Sequence, residues 1–455
     1  MNIKFTLLPI FFLFINCGNV LTNGSKSDTA KVEWQLVTEI TDSTARVSWK
    51  CSGSVVGFLK TSGSNYDRFD TTFFPSDLHS VLLTSLTSNL TYNYFPTCGS
   101  SENGIGLPAT FTTLANNNVI FSRSIWMVGG IGSDKNAVAD IDYFDPVTGI
   151  WTAGVTQIPT PRINAQIVSY KNKIFVIGGI LKSGNSYTMS RLVEAYDPFT
   201  NKWTSGLSSM PTTLQGGIIG TFGEEIVIIG GTTSTDMTTG TILNTVYKYT
   251  PDIGSGGTWS NFLSSTTIYP RIDMAGCVYN GSMFYTGGRF YNDGLAYATS
   301  DAYSSSLNST TGKIEASISL ARHGAAYACY RPSSSDTYST DSPLFLIAGG
   351  STATDIVQPV SAITPSNRFE YSVLGSSTNA FVTGSNIPVS LYYPSMEISY
   401  QQRKAYLFGG APEINLPVDT VYSLDLSNPG GNSWVKETAT MPKSRFGHKA
   451  VILSR

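Results

Sequence analysis

Four short segments set an arginine ahead of a second polar side chain: Arg162 with Asn164, Arg271 with Asp273, Arg322 with His323, and Arg445 with His448. Gln215 joins this set. A guanidinium presents a planar donor fork to carboxylates and other oxyanions, and amides and a carboxylate add directional hydrogen bonds. Such a group suits a polar ligand, a sugar or an acidic peptide, and His323 or Asp273 has the chemistry for proton transfer to one. The arginines at 162, 271 and 322 follow Pro161, Pro270 and Ala321, and the blander use of an arginine at such a turn is to hydrogen-bond loop carbonyls of its own unit.

Other chemistry is sparse. His79, His323 and His448 lie in separate segments without metal-ligand spacing, so no metal site is expected. The chain has no Gly-Lys phosphate loop, no Gly-x-Ser-x-Gly elbow and no Cys-x-x-Cys pair, so no catalytic residue and no cofactor are expected. A net charge of −2 without a basic stripe argues against a nucleic-acid partner. With 13% charged residues, the surface must be covered largely by Ser, Thr, Asn and Gly, which suits an exported β protein.

The elements that position the arginine segments are punctuated by Gly129/Gly130, Gly178/Gly179, Gly230/Gly231, Gly287/Gly288, Gly349/Gly350 and Gly409/Gly410, whose first members are 49, 52, 57, 62 and 60 residues apart. A period of that length marks a supersecondary unit that buries its faces only by stacking on its neighbours. In the second copy Ile174, Phe175, Val176 and Ile177 precede the glycines, and Tyr196 and Trp203 follow. Copy one repeats the step with Phe144 and Trp151, while copies three and six lengthen it, Tyr249 to Trp259 and Leu424 to Trp434. These residues resemble the kelch repeat. The resemblance covers about 118–455 and implies an all-β, six-bladed propeller of four-stranded blades around a channel. It also places the arginine segments at the channel mouth as candidate ligand-binding residues. Copies four and five lack the tryptophan and are expected to be irregular. The segment from Arg445 to Ile452 is an unused copy of the arginine-led strand, expected to complete the first blade and close the ring.

Residues 31–114 have a different texture. Alternation through Thr44, Ala45, Arg46, Val47, Ser48 and Trp49, and later through Leu90, Thr91, Tyr92, Asn93 and Tyr94, argues for half-buried strands. The early tryptophan and a tyrosine placed like the corner residue of a late strand resemble a fibronectin type III sandwich. A bridge between Cys51 and Cys98 is conceivable there. Cys277 and Cys329 fall on opposite strand parities counted from their arginines and are expected to remain free thiols. Residues 115–118 read as a polar linker.

The chain begins with Lys4 and a mostly apolar stretch from Phe5 to Ile15, too short to span a bilayer, ending at Cys17. It resembles a bacterial lipoprotein signal: residues 1–16 removed, Cys17 lipidated, 17–30 a flexible tether. The alternative is ordinary secretion with Cys17 discarded. Together these resemblances imply a lipid-anchored, extracytoplasmic binding or adhesion protein at the outer membrane or cell surface, monomeric, touching the membrane only through its anchor, with an unknown protein or saccharide ligand. The alternative function is a carbohydrate enzyme similar to the kelch mutarotases that open sialic-acid rings.

Overall fold

The computed structural model describes residues 30–63, 66–72, 74–99, 105–114, 119–235, 241–264, 270–292, 295–307, 312–332, 341–352, 363–376 and 379–453. Cys17, the leader and the linker at 115–118 lie outside the described residues.

Downstream of residue 119 the described residues build six four-stranded antiparallel sheets. Their innermost strands are Gln166–Tyr170, Ile218–Phe222, Ala275–Tyr279, Ala326–Tyr330, Ser395–Ser399 and Lys449–Ile452. Each packs beside the next and the last beside the first, so the sheets form a β-propeller around a channel. The apolar runs before the glycine pairs are the second strands, Lys173–Ile177, Glu225–Ile229 and Leu344–Ala348 among them, and they are buried almost end to end. Face-to-face stacking explains this, because each second strand has a neighbouring sheet on both sides.

The glycine pairs stitch neighbouring sheets together. Gly178 and Gly179 have φ of 63° and 88°, and a Cβ on Gly179 would lie 2.8 Å from the Ile163 carbonyl oxygen. A Cβ on Gly178 would lie 2.7 Å from the Leu214 carbonyl oxygen of the next sheet, and this close approach lets the Gly179 N–H donate to that oxygen at 2.9 Å. Gly231, Gly288 and Gly410 donate in the same way to the carbonyls of Arg271, Arg322 and Arg445 at 2.9, 2.9 and 3.0 Å.

The recurring aromatic and tryptophan are cross-strand partners on the third and fourth strands: Tyr196 opposite Trp203, Phe144 opposite Trp151, and Tyr249 opposite Trp259, with ring centroids 5.3, 5.1 and 4.8 Å apart. Copies four and five, expected to be irregular, keep all four strands. Ile314 stands opposite Tyr303 and Val382 opposite Tyr371, so ladder hydrogen bonds persist where the tryptophan is missing. The strand Lys449–Ile452 pairs antiparallel with Ile125–Val128, placing the end of the chain inside the first sheet.

Residues 30–114 form two packed sheets. One holds Val32–Thr38, Ala45–Val55 and Ser76–Leu83; the other holds Tyr66–Thr71, Gly57–Gly63, Thr91–Cys98 and Ala109–Thr112. Alternate residues Ala45, Val47, Trp49 and Cys51 point into the core with Leu59, Tyr92, Tyr94 and Phe111. Cys51 and Cys98 form a disulfide, with Cα atoms 5.7 Å apart.

Cys277 and Cys329 also form a disulfide, which corrects the expectation of two free thiols. Opposite parity excludes a pairing only between strands of one sheet. Cys277 and Cys329 lie on the innermost strands of adjacent sheets, and around a ring the face turned toward the next sheet meets that sheet's opposite face. Opposite parity therefore brings Cys277 and Cys329 together, in a cluster with Phe345 and Ile347.

Candidate binding face at the channel mouth

The four arginines do not line the mouth. Arg162, Arg271, Arg322 and Arg445 are each at most 2% exposed and bond to their own sheets. Arg162 donates to the Val176 carbonyl at 2.9 Å and pairs with Glu194 at 3.1 Å. Arg322 pairs with Glu370 at 2.5 Å, and Arg445 with Asp142. Arg271 donates to the Gly287 and Asp301 carbonyls, both at 3.2 Å, and lies over the Tyr303 ring. Burial pulls the Arg162, Arg322 and Arg445 guanidinia below their usual range, with the partner carboxylates opposing it. As ligand contacts these residues are corrected: they lock the arginine turn to the third strand of each sheet.

The same comparison shows a substitution rule. Asp142, Glu194 and Glu370 occupy equivalent third-strand positions, opposite Met127, Val176 and Ile347, each two residues before a glycine pair. Where the arginine is replaced by Leu214 or Leu391, that position holds Tyr247 or Tyr422. Leu214 and Tyr247 share one apolar cluster and Leu391 and Tyr422 another. A buried ion pair and a buried leucine–tyrosine contact thus fill the same slot.

Two residues beyond the arginine position the chain turns into the mouth. Asn164, Gly216, Asp273, Gly324, Tyr393 and Gly447 all have positive φ, between 48° and 68°. They join sheet to sheet: the N–H of Asp273 donates to Gly216 O at 2.7 Å, Gly324 to Asp273 O at 2.9 Å, Tyr393 to Gly324 O at 3.0 Å and Gly447 to Tyr393 O at 3.0 Å. Side chains alternate with glycines around this ring. A Cβ on Gly216 would meet Asp273 Oδ1 at 3.0 Å, on Gly324 the Tyr393 ring at 3.0 Å, and on Gly447 Asn164 Oδ1 at 3.6 Å, so each side chain lies over the glycine of the preceding sheet.

Of the expected set, Asn164 and Asp273 reach the mouth, with Gln215 bonded to Asn164. Asn164 Nδ2 donates to Gln215 Oε1 at 3.0 Å, and Gln215 Nε2 to the Ser234 carbonyl at 2.6 Å. Asp273 is held by Arg289, whose Nε donates to Oδ2 at 2.9 Å. Arg289, Tyr392 and Tyr393 complete this cluster and carry no arginine-turn signature. Burial raises both phenols far above their usual range, with the Asp273 charge adding to it, so they remain hydrogen-bond donors. The His323 ring meets Tyr392 edge-on at 5.8 Å. Among the described residues no group of three or more His, Cys, Asp or Glu is placed to hold a metal ion.

His448 lies beneath the ring and lines a cavity of about 100 Å³. Burial, then Arg445 and Lys449, push its imidazole well below the ordinary histidine range. The unfolded chain therefore takes up this proton first as the pH falls, and stability is lost from about pH 6.5 downward. Urea unfolding of the full chain between neutral pH and pH 5 is expected to show a slope of up to about 1.4 kcal/mol per pH unit from this group, which His448→Leu removes. An unchanged slope in the variant refutes the assignment.

Above the mouth stand the connections from second to third strand. Two are hairpins, Ile180–Ser183 with Ser186–Met189 and Arg289–Asn292 with Leu295–Ala298. Tyr187, Tyr297, Ile414 and Leu416 are exposed on these connections.

The kelch motif matches residues 161–206. Over 87 residues the chain is 26% identical to beta-scruin of Limulus polyphemus; the match takes in 18% of this chain and 9% of that protein's length. The solved structure of YjhT superposes with a TM-score of 0.54 at 13% identity, covering 70% of this chain and 95% of that one, which is a likeness of fold alone.

Proposed function

We propose that this kelch-repeat β-propeller is a non-enzymatic binding or adhesion module that recognises a protein or saccharide on the loop face above the mouth. The observation that carries the reading is the state of the mouth itself. At the mouth Asp273 is already engaged with Arg289 and Asn164 with Gln215, while exposed Tyr187, Tyr297, Ile414 and Leu416 ride on the connections around it. Aromatic and apolar side chains on loops over a rigid frame are what a recognition surface needs.

In this reading the propeller is six-bladed and the N-terminal sandwich is of the fibronectin type III kind. The three-plus-four strand arrangement and a Tyr92 hydroxyl that accepts the Thr87 N–H at 2.7 Å support the latter. Cys17 carries the lipid, and the monomeric protein stands at the outer membrane or cell surface with no other membrane contact.

A thermal-shift screen of the full chain against sugars, sialic acids and matrix proteins tests it. One class is expected to stabilise the chain by about 2.7 kcal/mol at a hundredfold excess over its Kd, and Tyr187→Ala with Leu416→Ser to abolish the shift without lowering the unliganded melting temperature. Catalysed interconversion of sialic-acid ring forms, lost in Asp273→Asn, would replace this reading with the carbohydrate-enzyme one.

A further inference from the structure

At the opposite ends of the inner strands the sandwich meets the propeller, and a cavity of about 500 Å³ lies at the junction. Its volume falls in the range of small-molecule sites, which favour domain interfaces. One wall is the outward face of the sandwich's three-stranded sheet, with Trp34, Leu36 and Leu78; the other is formed by Phe222, Tyr279 and Arg331 of the propeller. Trp34 and Phe222 close one side edge-to-face, with ring centroids 6.2 Å apart. An outward sheet face free of a partner is normally polar. Here its apolar residues are set against aromatic side chains around an open space.

The charges at the cavity are arranged unequally. Arg46 pairs with Glu39 at 2.7 Å. Arg331 also lines the lower channel cavity, and its backbone N–H donates to the Tyr400 hydroxyl at 3.1 Å. Its guanidinium makes no ion pair with a described residue. Burial, with the Arg46 charge, lowers its pKa, an effect that Glu39 and Glu397 oppose. A half-buried guanidinium without an ion-pair partner among the described residues, set beside aromatic walls, favours a ligand that brings an anionic group and an apolar body over a neutral sugar.

We propose that the junction cavity binds a small amphipathic monocarboxylate, its carboxylate on Arg331 and its aryl or alkyl body against Trp34, Leu36 and Phe222. The site is separate from the loop face and does not depend on it.

Calorimetry on the full chain with 4-phenylbutyrate, decanoate, 4-phenyl-1-butanol and glucuronate tests the proposal. The two amphipathic carboxylates are expected to bind one to one, the alcohol and glucuronate at least about tenfold more weakly. Arg331→Gln should reduce carboxylate affinity by about tenfold or more while leaving the alcohol unaffected. Leu36→Trp, which fills the cavity and leaves its charges in place, should abolish binding with the melting temperature kept or raised. Absence of carboxylate binding at millimolar concentration, equal binding of acid and alcohol, or binding that survives Leu36→Trp each overturns it.

Discussion

A chain ending at Met441 is expected to lose cooperative folding of the whole propeller, not of one sheet. The missing residues supply the inner strand Lys449–Ile452, whose partners run from Val128 to Ile125. They also supply the buried side chains of Ala450, Val451 and Leu453, at 0, 5 and 2% exposure. Phe446 exchanges two backbone hydrogen bonds with Ile131, and Gly447 and Ala450 donate to Tyr393 O and Ser395 Oγ in the last sheet. Removing Arg445 leaves Asp142 buried without its cation, a change worth about 3–5 kcal/mol. Loss of the Val451 and Leu453 burial adds about 1.5–3 kcal/mol each. The total is comparable to the whole stability of an ordinary domain, about 5–15 kcal/mol. Circular dichroism of the truncated chain should show no cooperative propeller transition, and a synthetic peptide of residues 442–455 should restore one. A truncated chain that melts like the full one refutes ring closure as a stability determinant.

The backbone of this propeller was legible because glycine and tryptophan report geometry directly. Only a residue without Cβ fits where Gly179 passes the Ile163 carbonyl, so the spacing of glycine pairs is the spacing of sheets. The cross-strand tryptophan is less binding, since Ile314 and Val382 take its place without loss of a strand. The disulfide between Cys277 and Cys329 runs against strand parity for a topological reason: parity within one strand decides nothing when the facing strand belongs to the next sheet.

The site was legible in position and not in role. Asn164 and Asp273 stand at the mouth, because two residues past a fixed turn the chain must enter the channel, and Gln215 is bonded to Asn164. Whether an arginine faces that channel or its own sheet depends on a partner in a strand far along the chain, which spacing alone does not supply. A signal was present. Asp142, Glu194 and Glu370 recur at one repeat position, and Leu214 lies as far ahead of Gly230 as Arg162 does of Gly178. Tyr392 and Tyr393 follow Leu391 where other copies have an arginine, and Arg289 lies beyond a glycine pair, so no arginine turn marked them and only the fold brings them to Asp273.

The slot shared by ion pair and leucine–tyrosine contact makes the second prediction. Arg322→Leu is expected to destabilise the full chain by about 3–5 kcal/mol, because Glu370, 1% exposed, is left charged and buried. Glu370→Tyr should cost a comparable amount, because Arg322, 1% exposed, is then the buried charge without its partner; in the fourth sheet the arginine that lies over a tyrosine, Arg271 4.9 Å from the Tyr303 centroid, keeps a carboxylate in Asp301 at 3.3 Å. Arg322→Leu combined with Glu370→Tyr rebuilds the pairing of Leu214 with Tyr247 and of Leu391 with Tyr422. Replacing both members of a buried pair with packed apolar groups is often neutral. The remaining losses are the hydrogen bond from the Ser319 N–H to Glu370, 2.6 Å long and worth about 1 kcal/mol, and the longer one from Arg322 Nη1 to the Leu320 carbonyl at 3.4 Å. The double variant should therefore fall within about 2 kcal/mol of the parent, and a urea-unfolding double-mutant cycle should give a coupling of several kcal/mol. Additive costs would mean that the two arrangements are not interchangeable, and that the arginines do more than hold each turn to its third strand.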